Sequence, residues 1–323
     1  MELFGTVDPL GGDGTNNPAS AADVQAFWKI VTTTTLDPCA PSPIMGTFAA
    51  DSQILWTIET SMDIELVGRL APGAEVVVCF TPNNAQGKYQ AWTTLLADPN
   101  PPAVISCSFG SPEANLLPIY VSTMHTFSAD AILKGITVCC SSGDSGDGSR
   151  CDGVTKVNFP ASSPNVLACG GTEFAVTQKI KEIVWNESIN GVPFASGGGF
   201  STLFTVPAWQ SSAISPQRGL PDVAARANLK QGYKVRVGGI NIPMGGTSAA
   251  APLWASLIAR INHALGLNAG FISPLLYGAP STCFDIKKGN NGPNFKAQAG
   301  WDAVSGLGSP RGNKLLAMLD AAL

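Results

Sequence analysis

The sequence predicts an α/β domain with a mostly parallel central sheet and helices on both faces. Three observations predict it. Short apolar, β-branched runs alternate with helical stretches over residues 52–170. That rhythm marks βαβ units, whose right-handed crossovers place helices on both sides of a sheet. Apolar residues make up 45% of the 323 residues, enough to bury a sizeable core. No linker is long enough to divide the chain, so residues 1–323 read as one domain.

The elements follow in order. A helix is expected over about 52–70, with Asp51 as its N-cap and Pro72-Gly73 closing it. Strands at 75–80, 103–108, 136–141 and 166–170 alternate with helices at 88–98 and 115–134. Residues 173–243 are richer in turns and short β-like runs, such as 234–237, and read as a long elaboration. A helix over 248–265, a loop-rich stretch at 279–312 and a last helix at 313–321 complete the chain.

Charge narrows the function. Lys and Arg number 19 against 23 Asp and Glu, a net charge of -4, and 13% of residues are charged. This composition excludes a disordered chain. It also offers no basic stripe to neutralise a nucleic-acid backbone, so no nucleic-acid partner is expected. No apolar run reaches membrane-spanning length. Met1-Glu2-Leu3-Phe4 lacks the basic start of a signal peptide, so no targeting segment is expected in this chain.

The eight cysteines are Cys39, Cys79, Cys107, Cys139, Cys140, Cys151, Cys169 and Cys283. None forms a metal-type Cys-x-x-Cys pair. Cys79, Cys107, Cys139 and Cys169 sit in strand-like runs, where a free thiol is an ordinary small hydrophobe. Cys39, Cys151 and Cys283 lie in polar loops and are the better bridge candidates.

Three places carry chemistry. On the first helix, Asp63 lies about 40° around from Glu59 at 100° per residue. Leu55, Trp56, Met62, Leu66, Val67 and Leu70 surround that pair, and Thr60, Ser61 and Gly68 fall on the opposite face, expected to be solvated. Two close carboxylates on an apolar face cannot both ionise easily, so they titrate as a unit with one pKa raised. Secondly, Gly245-Gly246-Thr247-Ser248-Ala249-Ala250-Ala251-Pro252 leads from a strand-like run into a helix. Ser248 there is either a nucleophile or a helix N-cap. The only histidines are His125, mid-helix, and His263, more than roughly 20 Å along the helix from Ser248. A nucleophile at Ser248 must therefore take another base, and the carboxylate pair supplies one. Thirdly, Asp144 in Ser142-Gly143-Asp144-Ser145-Gly146 follows a strand, where a residue faces a cleft at the carboxyl edge of the sheet.

In this order and spacing the motifs resemble the sedolisins, the serine-carboxyl peptidases, and the kumamolisin branch in particular. The matching stretches are Glu59-x-x-x-Asp63, Gly68-x-Leu70-Ala71-Pro72-Gly73-Ala74, Ser108-Phe109-Gly110-Ser111-Pro112-Glu113, Ser142–Gly146, Phe159–Pro164, Gly170-Gly171-Thr172, Pro221-Asp222-Val223-Ala224 and Gly-Gly-Thr-Ser ending at Ser248. Residues 1–50 match poorly, although Glu2 is matched to a glutamate that extends the acid network in some members. The resemblance implies a subtilisin-like fold and endopeptidase activity at acid pH. It implies Ser248 as nucleophile, Glu59 as general base, Asp63 as the acid that orients it, and Asp144 as a protonated oxyanion stabiliser. Ser108, Phe109, Gly110 and Ser111 are expected to edge the substrate cleft. Phe109 stands where relatives often carry Trp and cannot donate a hydrogen bond.

The resemblance also implies one structural Ca²⁺, held by Asp285 and Asp302 and by backbone oxygens of Ile286, Gln298 and Gly300. Asn158 stands where some relatives carry an acid, which speaks against a preference for basic side chains. Expected partners are protein or peptide substrates and the family's N-terminal prosegment, with no membrane contact and a monomeric state. The expected location is extracellular or an acidic lysosome- or vacuole-like compartment. Asn186-Glu187-Ser188 is a sequon that matters only in an exported protein. A non-catalytic binding or scaffold protein on the same frame is the rival reading. An esterase lacks both the Gly-x-Ser-x-Gly elbow and a His partner.

Overall fold

The computed structural model describes residues 2–5, 52–80, 85–149, 153–176, 180–211, 215–237 and 239–323. Asp51, Cys39 and Cys151 lie outside the described residues, as do the side chains of Glu2, Leu55 and Trp56.

Strand β1 (Glu2–Gly5) is followed in the described chain by α1 (Ser52–Leu70), β2 (Val77–Phe80), α2 (Ala85–Ala97) and β3 (Val104–Cys107). Then come β4 (Ser111–Pro112), a 3-10 turn at Glu113–Asn115, α3 (Pro118–Leu133), β5 (Thr137–Ser141), β6 (Asn158–Phe159) and β7 (Leu167–Val176). The long elaboration resolves into β8 (Ile180–Val184), β9 (Asn186–Ile189), β10 (Val192–Ala195), β11 (Gly199–Thr205), β12 (Gln217–Leu220), β13 (Val223–Arg226), β14 (Tyr233–Val237) and β15 (Ile240–Met244). Helices α4 (Thr247–Leu265) and α5 (Ser273–Gly278), the short strands β16 (Cys283–Phe284) and β17 (Ser309–Pro310), and α6 (Gly312–Ala322) follow.

The main sheet runs β13-β7-β5-β3-β1-β2, with all of these neighbours parallel. β8 folds back antiparallel on the far end of β7. The expected α/β, subtilisin-like architecture with a mostly parallel sheet is therefore the observed one. β3 and β5 are buried along their whole length. This is why they read as unbroken apolar runs rather than as alternations.

Successive side chains sort to opposite faces. Ile105, Cys107, Val138, Cys140 and Ala168 pack under Trp92 and Leu95 of α2 and Val121 and Met124 of α3. Val104, Cys139, Leu167, Cys169 and Val223 pack under Ala251, Trp254 and Ile258 of α4 and Leu315 of α6. Cys79, Cys107, Cys139, Cys140 and Cys169, all in strands of the main sheet, fill small volumes on both faces as free thiols. Cys283, expected as a bridge candidate, is also a free and buried thiol. It sits in β16 against the α4–α6 core rather than in a polar loop.

Helix α1 departs from expectation. Thr60 and Ser61 are 3% and 5% exposed, so the face opposite the carboxylates is not solvated there. Of Thr60, Ser61 and Gly68, only the last, near the helix end, is exposed. The helix packs on α4 along one side and on β14 along another. Met62 and Leu66 meet Val235 of β14 and Ala249 of α4. The Arg236 N–H donates to both oxygens of Glu65 at 3.1 Å. A hairpin from the elaboration has closed over what the sequence alone presents as a surface.

Candidate active site

The carboxyl ends of β3 and β5 lie side by side in parallel register, Cys107 opposite Cys140. Ser108 leaves the first and the loop carrying Asp144 leaves the second. The N-terminus of α4 brings Ser248 to Ser108, and α1 packs against α4. Glu59 and Asp63 thus face the same edge of the sheet, where parallel α/β folds place their sites.

Ser248 is the second residue of α4. The N-cap is Gly246, with φ 92°, and no side chain caps the helix. The capping role for Ser248 is therefore excluded, and its hydroxyl is free for other partners. It donates to the Ser108 carbonyl at 3.3 Å and lies near enough to the Glu59 carboxyl to favour its ionised form. Pro252, four residues on, has no N–H, so the Ser248 carbonyl loses its helical donor. The Ser108 hydroxyl replaces that donor at 3.1 Å. The same hydroxyl lies 2.9 Å from Asp63 Oδ1. Ser108 is therefore a link between the nucleophile's helix and the acid pair, a role its motif did not disclose.

Burial governs the acids. Glu59 is half-buried, yet its Oε1 has no exposed surface and no hydrogen-bond partner. Burial raises its pKa to about 8, with Asp144 adding to the rise and Ser248 opposing it. Asp63 is 3% exposed, and burial and then the Glu59 charge push it well above the carboxylate range, against the Ser108 hydrogen bond. Asp144 is raised by burial, while Thr247 opposes the rise. Three carboxyls in one poorly hydrated cluster retain protons far better than carboxylates in water.

Asp144 is held firmly. Its Oδ1 accepts the Thr247 N–H at 2.7 Å and the Thr247 hydroxyl at 2.8 Å. Its carbonyl accepts the Ala195 N–H at 2.9 Å. A Cβ on Gly246 would stand 2.6 Å from Asp144 Oδ2, at a φ that side chains rarely adopt. Glycine at that turn therefore answers both a conformational and a spatial demand.

The remaining expected residues divide. Phe109 is 3% exposed and belongs to the core beneath α2 and α3, with the Lys88 Nζ 4.7 Å from its ring centroid. Ser111 is buried in β4 and paired with Phe159 of β6. Gly110 is partly exposed, with room for a Cβ limited by the Phe159 carbonyl at 3.1 Å. His125 is remote from the cluster's partners: its Nδ1 lies 3.0 Å from Ser163 Oγ and its ring packs on Phe204.

Further along, Asp285, Ile286, Gln298, Gly300 and Asp302 fall in one loop cluster. Asp285 Oδ2 accepts the Gly300 N–H at 3.1 Å, and its Oδ1 is buried without a partner. Asp302 Oδ2 accepts the Gln298 N–H at 2.9 Å, and its Oδ1 accepts Val304 and Ser305 N–H groups. Among the described residues no three His, Cys, Asp or Glu side chains converge as a metal cluster.

A subtilase family model matches residues 45–267. The chain belongs to the subtilase family. Within it, the relatives are serine-carboxyl peptidases of the sedolisin and kumamolisin kind. This subtilase is 43% identical over 281 residues to kumamolisin of Bacillus sp. (strain MN-32), spanning 81% of the chain and 50% of that protein. It is 32% identical over 302 residues to tripeptidyl-peptidase 1 of Rattus norvegicus, spanning 81% and 52%. The chain spans about half the length of these curated relatives. Pseudomonas sedolisin, a serine-carboxyl proteinase solved with two molecules of pseudo-iodotyrostatin, superposes with TM-score 0.79 at 28% identity. That match covers 99% of this chain and 92% of the other. Sphericase, at 20% identity and TM-score 0.51, shares the fold.

Proposed function

We propose that this subtilase is an acid-acting serine-carboxyl endopeptidase that cleaves proteins or peptides through an acyl-enzyme. One observation carries the reading: Ser248 lies beside the Glu59 carboxyl, whose charge acts on the buried Asp63, and no histidine reaches it. Glu59 takes the Ser248 proton as Oγ attacks the scissile carbonyl, and later returns it to the leaving amine. Asp63 sits behind Glu59 and is fixed by Ser108. Asp144, when neutral, donates to the oxyanion. The raised pKa of Asp144 keeps that proton available at acid pH, while Glu59 acts as base from its ionised form, which Ser248 favours.

Calcium is part of the proposal. The partnerless Asp285 Oδ1 suits a hard cation, with Asp302 and the backbone oxygens of Ile286, Gln298 and Gly300 completing an oxygen cage. The ion would tie the loop together. Substrates and a prosegment as partners, a monomeric state, and action outside the cell or in an acidic compartment complete the reading. No helix among the described residues is long and apolar enough to cross a membrane.

Labelling tests it. A fluorophosphonate should add to Ser248 with one equivalent of fluoride released, and Ser248→Ala should abolish the adduct by mass spectrometry. A folded chain that takes no label at any acid pH would favour the scaffold reading.

A further inference from the structure

We propose that Thr247 is a positioning residue for the oxyanion acid, its hydroxyl fixing the proton of Asp144 on Oδ2. The proposal rests on the serine-carboxyl reading and deepens it. The direction of three hydrogen bonds carries the argument. The Gly143 N–H can only donate, and it donates to Thr247 Oγ1 at 3.0 Å. The Thr247 hydroxyl hydrogen therefore points elsewhere, and Asp144 Oδ1 receives it at 2.8 Å. The Thr247 N–H donates to the same oxygen at 2.7 Å.

An oxygen accepting two donors this close has no place for a hydrogen of its own. A neutral Asp144 consequently carries its hydrogen on Oδ2. That oxygen borders the glycine turn at Gly246 that leads into Ser248. Thr247 is 1% exposed, so water does not compete for its hydroxyl. Its β-branch further restricts the rotamer. The titratable group facing Asp144 is Glu59, with Asp63 behind it.

Two variants test this in the full chain. Thr247→Val keeps the shape and removes the hydroxyl, while Thr247→Ser keeps the hydroxyl. The Val variant should lower kcat roughly 10–100-fold with KM within about threefold, and the Ser variant should recover most of the loss. The alkaline limb of the Val variant should move to higher pH, because a donor to the ionised form is gone. A merely structural role would lower activity without moving that limb.

A second readout needs no turnover. In a Ser248→Ala chain, ¹³C NMR titration of Asp144 should show a higher pKa once Thr247→Val is added. An unmoved titration, or a Ser variant as impaired as the Val variant, overturns the proposal. If the parent chain cleaves nothing at acid pH, the serine-carboxyl reading fails, and the titration still decides the Thr247–Asp144 link.

Discussion

Asp63 shows how much a residue's surroundings add to its type. Its i, i+4 spacing from Glu59 was legible from the helical period, and so was the cost of burying both. The roles of Ser108, Thr247 and Pro252 were not. Ser108 reads as the end of a strand and an edge of the substrate cleft, and its further value lies in bridging two segments distant in sequence. A proline four residues after Ser248 was the available signal, since it must free a carbonyl that something else then satisfies. For Asp63 we expect Asp63→Asn to lower kcat roughly 10²-fold with KM nearly unchanged. The Glu59 charge helps hold the Asp63 pKa up, while the charge that raises Glu59 is Asp144. Steady-state kinetics would check the loss, and a kcat within about twofold of the parent would contradict the role.

Among the elements, the parallel strands β2, β3, β5 and β7 and the helices beside them were readable because each is a buried run or an amphipathic stretch with clear punctuation. Three of the four expected strands proved a residue or two shorter than their apolar runs, whereas β7 runs on past 170 to Val176, where β8 pairs with it. The turn-rich stretch was readable only as an elaboration, because hairpin pairing depends on partners the local pattern does not name. One of those hairpins packs on α1 at Met62, Glu65 and Leu66, and Thr60 and Ser61 prove buried rather than solvated. Phe109 turned inward for a similar reason: the strand period carries its side chain into the α2–α3 core. The turn before α4 makes the sharpest prediction at this scale. Gly246→Ala should cost about 1–3 kcal/mol and at least roughly tenfold in activity, because strain and the approach to Asp144 act together. Chemical denaturation and peptide kinetics would measure the two losses, and a neutral outcome in both would contradict the geometry.

Over the whole molecule, carboxyl groups set the response to pH. Burial raises Glu59, Asp63, Asp144 and Asp302. Each binds its proton more tightly folded than unfolded. Between the ordinary carboxylate range, near 4, and about 8 for Glu59, stability therefore rises as pH falls. Asp147 works the other way. Ser149 and Asn294 donate to it and hold its pKa down, so its contribution is lost only as pH falls through that lowered value. The Tm of a Ser248→Ala chain, which cannot digest itself, should climb from pH 8 towards pH 5. Glu59→Gln should raise Tm at pH 8 by roughly 2–4 °C and flatten the climb. Calorimetry showing Tm rising with pH across that window would contradict the burial argument.

The central claim is that Ser248 works with a carboxyl base. The most direct measurement is proteolysis of a denatured protein from pH 2 to 8 by the parent chain, Ser248→Ala and Glu59→Ala. The account predicts cleavage confined to acid pH and a loss of at least about 10³-fold in both variants. Cleavage that peaks near neutral pH, or that survives Glu59→Ala, would contradict it.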